Sequence, residues 1–119
     1  MSTQAEFWKP FFELLGVPFR RKIALVLYSN GYLCEHGLDG VKDAGISVRR
    51  MSKIMAETPE KTRYHMDKLA DEGLAEKYAG LVGNMPVALY KASGRFSKTI
   101  ESLGVGKGLD EYYKNRQDG

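Results

Sequence analysis

The sequence predicts an α+β fold that is mostly helical, in one domain of 119 residues. Apolar residues recur at helical spacing in two consecutive segments, 48–55 and 62–70. Residue types that favour helix starts and stops frame both segments, and two strand-like segments separated by a Gly/Asn turn follow them. One domain fits this length because domains cluster at roughly 100–150 residues.

Composition narrows the class of protein. The chain is 43% hydrophobic and 28% charged, which is typical of a globular protein. Its longest uncharged apolar run covers residues 23–28, far short of the roughly 20 residues that span a membrane. The start "MSTQAEFWKP" lacks the features of a secretory signal, and the single cysteine fits a reducing cytoplasm. We therefore expect a cytoplasmic protein without membrane contact, and its charge of +3 permits a polyanionic partner.

Residues 1–18 form an N-terminal segment with a large aromatic content. Its aromatic residues are Phe7, Trp8, Phe11 and Phe12. Two interpretations stay open, a helix that lies over the core and a helix that forms a dimer, because such side chains need a large apolar surface to cover them. We expect a central domain over residues 19–92, and a C-terminal helix and tail over 93–119 that also can contribute to a dimer.

The next helix is predicted between Pro18 and Gly31, since proline favours a helix start and glycine a helix stop. After a basic first turn at Arg20–Lys22 it is apolar almost all round, so we expect it to be central. Either solvent or a bound anion would offset this positive charge at the helix N-terminus.

Residues 32–45 contain three glycines and are predicted to form a loop, with one helical turn around Leu38–Asp43. Cys34 and His36 stand two positions apart, as in some metal sites. Zinc, however, usually takes three or four protein ligands, and the sequence has no second pair of this kind. We therefore expect no metal site.

A short helix is predicted to follow Ile46, which can add a short strand, and Ser47, which is a good N-cap. We expect about ten helical residues. The predicted apolar stripe consists of Val48, Met51, Ile54 and Met55, whereas Arg49, Arg50 and Lys53 lie off that stripe.

The pattern restarts with Thr58 as N-cap and Pro59 in the first helical position, and Gly73 ends the new helix. Its predicted buried residues are Thr62, Met66, Leu69 and Ala70. A turn of about three residues joins the two helices, which is the helix-turn-helix arrangement.

A β-hairpin is predicted next, from "LAEKYAG" and "PVALYKAS" with a turn region at residues 80–85. Two helices followed by a hairpin is the order of a winged helix. The segment "SGRFSKTIESLG" then predicts a short amphipathic helix, with Phe96, Ile100 and Leu103 on one side.

The stretch "ISVRRMSKIMAETPEKTRYHMDKLADEGLAEKYAG", followed by "VALYKAS", resembles the winged helix-turn-helix of bacterial and archaeal transcription regulators of the ArsR and MarR kind. In those families a helix with the pattern T-x-x-H-L-x-x-L-x-x-x-G-L-V precedes a hairpin rich in basic and aromatic residues. The matching positions are Thr62, His65, Met66, Leu69, Gly73 and Leu74. The resemblance covers residues 19–92 and implies binding to duplex DNA. The chain departs from the pattern because it lacks the ligand sets of metal sensors and any Arg or Lys at the hairpin tip.

A helix in this position inserts into the major groove, where all four base pairs can be distinguished. The candidate DNA contacts are Lys61, Arg63, Tyr64, His65 and Lys68 on this helix, Arg49, Arg50 and Lys53 on the preceding helix, and Lys77 and Lys91 on the hairpin. Arg63 is expected to contact guanine, and the preceding helix to contact phosphates. The other interpretation of these charges is a solvated helix face, and for His65 it is a half-buried structural role.

The sequence therefore predicts a protein that binds specific duplex DNA sequences as a homodimeric transcriptional repressor, located at the nucleoid in the cytoplasm. No catalytic arrangement, cofactor motif or phosphate loop is recognisable, so we expect no enzyme and no cofactor. Plasmid or viral partition, replication control and nucleoid architecture would use the same parts. A winged helix that contacts another protein is the alternative from a different class.

Overall fold

The computed structural model describes residues 15–102, which form four helices and three strands. The elements are α1 (Pro18–Glu35), β1 (Ile46–Ser47), α2 (Val48–Met55), α3 (Pro59–Asp71), β2 (Ala75–Val82), β3 (Met85–Ala92) and α4 (Gly94–Ser102). None of these helices is long and apolar enough to span a bilayer. The predicted N-terminal helix and the C-terminal tail beyond Ser102 lie outside the described residues, apart from 15–18 at the entry to α1.

The three strands form one antiparallel sheet in the order β1-β3-β2. Ile46 pairs with Tyr90, which confirms the predicted short strand before α2. The hairpin pairs β2 with β3 as far as Val82 opposite Met85. The predicted turn region of 80–85 was therefore too long, because cross-strand pairing continues until only Gly83 and Asn84 remain. Gly83 has a φ of +62°, which glycine adopts without strain.

The core lies between the helices and the face of the sheet that contains Tyr90. Its buried residues are Ile23, Ala24, Leu27, Tyr28, Ile46, Val48, Met51, Met66, Leu69, Leu74, Ala75, Tyr90, Phe96 and Ile100. Every helix of the described chain contributes to this set. Burial of Phe96 and Ile100 agrees with the predicted amphipathic helix, whose third residue, Leu103, lies outside the described residues.

Helix α1 continues four residues beyond Gly31, so the predicted stop at that glycine was wrong. Glycine inside a helix costs about 0.5–1 kcal/mol relative to alanine. Burial of Tyr32, which is 8% exposed, offsets that cost. The helical turn predicted around Leu38–Asp43 does not form, because Asp39 and Gly40 have φ values of +51° and +68°.

Helix α2 begins as predicted, since the Ser47 hydroxyl accepts a hydrogen bond from the Arg50 N–H at 3.1 Å. It is eight residues long, somewhat shorter than expected. The prediction that Ile54 joins the apolar stripe was wrong, because its side chain is 49% exposed. At 3.6 residues per turn, Ile54 points roughly 100° away from the face formed by Val48, Met51 and Met55. Ser52 is buried beside that face instead.

Candidate nucleic-acid interface

Helix α3, which we call the recognition helix, is fixed by its cap and its buried face. The Thr58 hydroxyl accepts a hydrogen bond from the Lys61 N–H at 3.3 Å, and Pro59 occupies the first turn, as predicted. Thr62, Met66 and Leu69 are each at most 1% exposed. This burial confirms the predicted face of the helix at these three positions, whereas Ala70 is only half-buried. The opposite side of the helix lies in solvent.

Four of the predicted DNA contacts project from that exposed side. We call this set the basic face; it consists of Lys61, Arg63, Tyr64 and Lys68. Tyr64 is 56% exposed, and the Lys68 ammonium lies 5.7 Å from the centroid of its ring. The Arg63 side chain is exposed and forms no hydrogen bond or ion pair with the described residues, although its charge helps to lower the pKa of Asp67. Its guanidinium is therefore available to a ligand.

Lys61 lies where the recognition helix meets the preceding turn and α1. Its ammonium forms a 3.0 Å ion pair with Glu57 and lies 4.8 Å from the centroid of the Phe19 ring. Hydrogen bonds from Lys61 and from the Thr58 N–H hold the pKa of Glu57 below its usual value. An exposed ion pair of this kind contributes little to stability, so a phosphate can replace Glu57 as the partner of Lys61.

His65 points into the protein and is only 9% exposed. Its Nδ1 accepts a hydrogen bond from Arg20 Nε at 3.2 Å, and the Phe19 ring centroid lies 5.0 Å from that of His65. Burial, together with the charges of Arg20 and Lys61, lowers the pKa of His65. A neutral, inward-facing imidazole favours the structural interpretation of His65 over a base contact.

The three cations of α2 are all exposed, but they border different parts of the surface. Lys53 borders the turn formed by Ala56–Thr58, next to the start of the recognition helix. Arg50 instead borders a groove with Leu25 and Ile54, between α1 and α2. None of the three cations Arg49, Arg50 and Lys53 forms an ion pair with the described residues. Lys53 is thus the α2 cation that the structure clearly brings to the recognition helix.

The two hairpin lysines lie on opposite faces of the sheet. Lys77 faces the recognition helix, where its ammonium lies 3.3 Å from Asp67 Oδ1. Lys91 pairs across the hairpin with Glu76, at 3.6 Å, one position from Lys77 on β2. Side chains alternate between faces along a strand, so Lys91 points away from the face that packs against α3. The structure therefore does not bring Lys91 together with the basic face.

Two contributions to this surface were not among the predicted contacts. Asp67 links the recognition helix to the sheet, because its Oδ1 also accepts a hydrogen bond from the Tyr90 hydroxyl at 2.5 Å. Arg20 reaches the recognition helix through His65. The basic first turn of α1 was the signal for Arg20, whereas nothing local in the sequence indicates the partner of Asp67.

The tip of the hairpin, or wing, is apolar. Leu81, Val82 and Met85 are 65%, 55% and 67% exposed. No Arg or Lys lies between Lys77 and Lys91 in the sequence. The wing tip thus has no cation for a phosphate, and the cations near the recognition helix come from α1, α2, α3 and the base of the hairpin.

Comparison with known proteins supports the fold. No protein-family model and no curated protein matches the sequence. Among solved structures, a transcriptional regulator homologue from Pyrococcus horikoshii OT3 is similar with a TM-score of 0.59 and 17% identity, covering 95% of this chain and 98% of that one. MepR, a transcription regulator of the Staphylococcus aureus multidrug efflux pump MepA, aligns at a TM-score of 0.42 and 13% identity over 92% of this chain and 83% of that chain, too weakly to support an inference. The described residues therefore confirm the predicted winged-helix fold, mostly helical with a three-stranded antiparallel sheet.

Proposed function

We propose that the protein binds double-stranded DNA as a sequence-specific transcriptional regulator, with the recognition helix in the major groove. The observation that carries this proposal is the basic face, which projects from a helix whose other side is buried at Thr62, Met66 and Leu69. A major groove about 12 Å wide admits one α-helix, and a helix fixed by its core contacts presents its side chains in a defined register.

Arg63 is the proposed base contact. It has no competing ion pair among the described residues, and a guanidinium can donate two parallel hydrogen bonds to guanine O6 and N7. Tyr64 would accompany it with a hydroxyl for phosphate and a ring for a thymine methyl. The acidic residues Asp71 and Glu72 lie at the other end of the helix, so the N-terminal half is the part that suits DNA.

Phosphate contacts would come from Lys53 on α2, from Arg49 one helical turn before it, and from Lys61 and Lys68 at the edges of the basic face. Each neutralised phosphate releases counterions, so affinity should fall steeply with salt. Lys77 is half-exposed in its ion pair with Asp67, and a phosphate would compete with that carboxylate. The apolar wing tip would add nothing to the salt dependence.

A homodimer acting as a repressor is part of the proposal. Two copies would present two recognition helices to half-sites about one DNA turn apart, which requires a symmetric operator. The segments proposed to form the dimer, 1–18 and 93–119, lie largely outside the described residues. The location beside the chromosome likewise stays a prediction.

The apolar wing tip favours a second candidate function, contact with another protein through Leu81, Val82 and Met85. A winged helix used only for protein contact would be expected to have an uncharged recognition-helix face. The basic face has three cations, so we place DNA binding first. A protein that acts in partition, replication control or nucleoid architecture would use the same surface. These roles differ in the DNA sites that the protein would occupy.

Selection of bound duplexes from a random pool, with the mass of the complex measured alongside, tests the proposal. We expect enrichment of a two-fold symmetric site and a mass of two chains per duplex. Enrichment of no sequence would favour an architectural role, and a mass of one chain would contradict the dimer. No binding to any duplex at about 50 mM salt would contradict DNA binding altogether.

Two substitutions separate base contacts from phosphate contacts. Arg63→Ala should weaken binding by about 1–3 kcal/mol and relax specificity at one base pair. Arg49→Ala should weaken binding to all sequences alike and reduce the salt slope by about 1. Lys98→Ala, at an exposed lysine on α4, is the matched control and should change neither quantity. Unaltered binding in both Arg63→Ala and Arg49→Ala would overturn the proposed surface.

A further inference from the structure

The wing tip carries four exposed apolar residues, Leu81, Val82, Met85 and Pro86. Among the described residues, Met85 and Leu81 are the two most exposed large hydrophobic side chains. Contact with water is unfavourable for such a group of side chains, so its position at the end of a hairpin indicates a binding surface. The basic face does not account for this surface, because none of its residues lies at the wing tip.

The charges nearest to the wing tip suit a polyanion. Residues 79–90 include no charged side chain, and the first charged residues on either side are Lys77 and Lys91. DNA would therefore meet no carboxylate at the tip. An apolar side chain cannot bind a phosphate, but it can pack on the face of a base once two stacked base pairs have separated. The bases are thus the part of a duplex that the wing tip suits.

The base of the hairpin lies beside the residue proposed to contact bases. Lys77 Nζ is 3.3 Å from Asp67 Oδ1, and Asp67 follows Arg63 by one helical turn on the same side of α3. Gly83 follows Lys77 by six positions, which extends the hairpin by roughly 20 Å. Neighbouring major and minor grooves are half a turn of B-DNA apart, roughly 17 Å. With Arg63 in the major groove, the hairpin is long enough for its tip to reach the next minor groove.

The register of the hairpin determines which apolar side chains share the face of Lys77. Leu81 lies four positions after Lys77, so both side chains are on the same face of the sheet. Pro86 pairs with Leu81 across the hairpin and belongs to that face too. Val82 and Met85 pair with each other and lie on the opposite face. Leu81 is therefore the large apolar side chain of the tip on the face that meets the recognition helix.

We propose that the protein bends its DNA, with Leu81 inserted from the minor groove as a wedge between two stacked base pairs. This inference rests on the proposed DNA binding and adds a second activity to it. Leucine and proline are among the side chains that separate base pairs in this way, and a kink of about 20–90° toward the major groove results. Pyrimidine–purine steps kink most easily, so we expect one about five base pairs from the base pair that Arg63 contacts.

The bend is measured by energy transfer between dyes at the two ends of a duplex of about 30 base pairs. The duplex carries the site selected from the random pool, and fluorescence anisotropy of the same duplex measures binding. We expect binding of the full-length protein to raise the energy transfer, because a bend brings the ends together. Absence of binding would overturn both the proposed function and the wedge, whereas binding without a bend would overturn the wedge alone.

Leu81→Ser and Val82→Ser are a matched pair, because the two positions are adjacent and exposed but face opposite sides of the hairpin. Leu81→Ser removes no cation, so it should bind with an unchanged salt slope and leave the duplex straight. Val82→Ser should bend the duplex as the unmodified chain does. A bend that is kept in Leu81→Ser, or lost equally in both variants, would contradict the role of Leu81. Circular dichroism verifies that both variants are folded.

A mismatched base pair gives a second readout of the wedge. A mismatch is already poorly stacked, so it lowers the cost of separating two base pairs. With one mismatch about five base pairs from the Arg63 contact, the duplex should bind the unmodified chain about tenfold more tightly than the intact duplex does. Leu81→Ser should bind both duplexes equally. Equal affinity of the unmodified chain for both duplexes, with straight DNA in both complexes, would overturn the wedge and assign the wing tip to a protein partner.

Discussion

The Tyr90 hydroxyl donates a 2.5 Å hydrogen bond to Asp67 Oδ1 and so joins the central strand of the sheet to the recognition helix. Lys77 reaches the same oxygen from β2 at 3.3 Å. Burial raises the pKa of Asp67, but the hydrogen bonds from Tyr90 and Lys77 outweigh that effect and hold it below its usual value. Asp67 is therefore an anion at neutral pH, and it ties the orientation of the recognition helix to the hairpin.

Tyr90→Phe tests this link. The change removes one donor from a carboxylate and should lower the free energy of unfolding by about 1–2 kcal/mol, because hydrogen bonds to charged groups are among the stronger ones. Urea denaturation followed by circular dichroism measures the loss. Tyr64→Phe is the control, since the Tyr64 hydroxyl is exposed and should contribute less than about 0.5 kcal/mol. Equal stability of the two variants would contradict the structural role of the link.

The lowered pKa of His65 predicts a loss of stability on acidification. The histidine in the folded protein titrates below its value of 6.5 in the unfolded chain, so the unfolded chain binds more protons between the two pKa values. The contribution of His65 to the free energy of unfolding should be fully present above pH 6.5. It should decrease as the pH falls through that value toward the pKa of His65 in the folded protein. Thermal unfolding between about pH 7.5 and 5.5 measures the slope.

His65→Gln is the comparison for that slope. The glutamine oxygen can still accept the hydrogen bond from Arg20 Nε, but the side chain does not titrate. The variant should therefore lose less stability than the unmodified chain over the same pH range. Parallel pH profiles would show that His65 does not cause the effect.

Alanine substitutions at two glycines, Gly45 and Gly31, are expected to change stability in opposite directions. A Cβ on Gly45 would overlap the Tyr78 hydroxyl, which donates a 2.7 Å hydrogen bond to Asp43 Oδ1, and would lie 2.9 Å from the Leu89 Cβ. Burial and that hydrogen bond raise the pKa of Tyr78 to about 12. Gly45→Ala should therefore destabilise the fold by about 1–3 kcal/mol.

Gly31→Ala is the matched change within α1. A Cβ there would meet nothing within 4 Å, and the position lies inside the helix. The alanine should stabilise the protein by about 0.5–1 kcal/mol. Both variants are compared by chemical denaturation. A destabilised Gly31→Ala would show that α1 ends near residue 31, as the sequence alone had predicted.

The two faces of α2 are compared by Met51→Ala and Ile54→Ala. Met51 is fully buried, so its truncation should cost about 2–5 kcal/mol. Ile54 is 49% exposed, and the same truncation there should cost less than about 1 kcal/mol. Similar losses at both positions would mean that a further element covers Ile54, and the same denaturation experiment would detect it.

The sequence by itself determined the order of the elements and the phase of the recognition helix. Ser47, Thr58 and Pro59 mark helix starts through interactions that span about three residues, which are visible in a linear sequence. The buried positions Thr62, Met66 and Leu69 follow the period of 3.6 residues, and that period belongs to the helix alone. These local rules were sufficient for the winged-helix prediction.

The ends of elements were less predictable, because distant contacts decide them. Burial of Tyr32 extends α1 through Gly31, and cross-strand pairing shortens the wing turn to Gly83 and Asn84. Exposure of Ile54 likewise reflects which side of α2 meets the core. In each case the local sequence allowed two outcomes, and packing selected one.

Only the tertiary structure decided which predicted contacts remain open to a partner. His65 faces inward to Arg20, 45 positions away in sequence, and Lys77 is held by Asp67 and lies beside Tyr90. Arg63 forms no ion pair among the described residues, whereas the Tyr28 hydroxyl is buried without a hydrogen-bond partner. The spacing of residues along a chain specifies neighbours within one helix or hairpin. Pairings between elements depend on how those elements pack, so the availability of each charge is a property of the folded molecule.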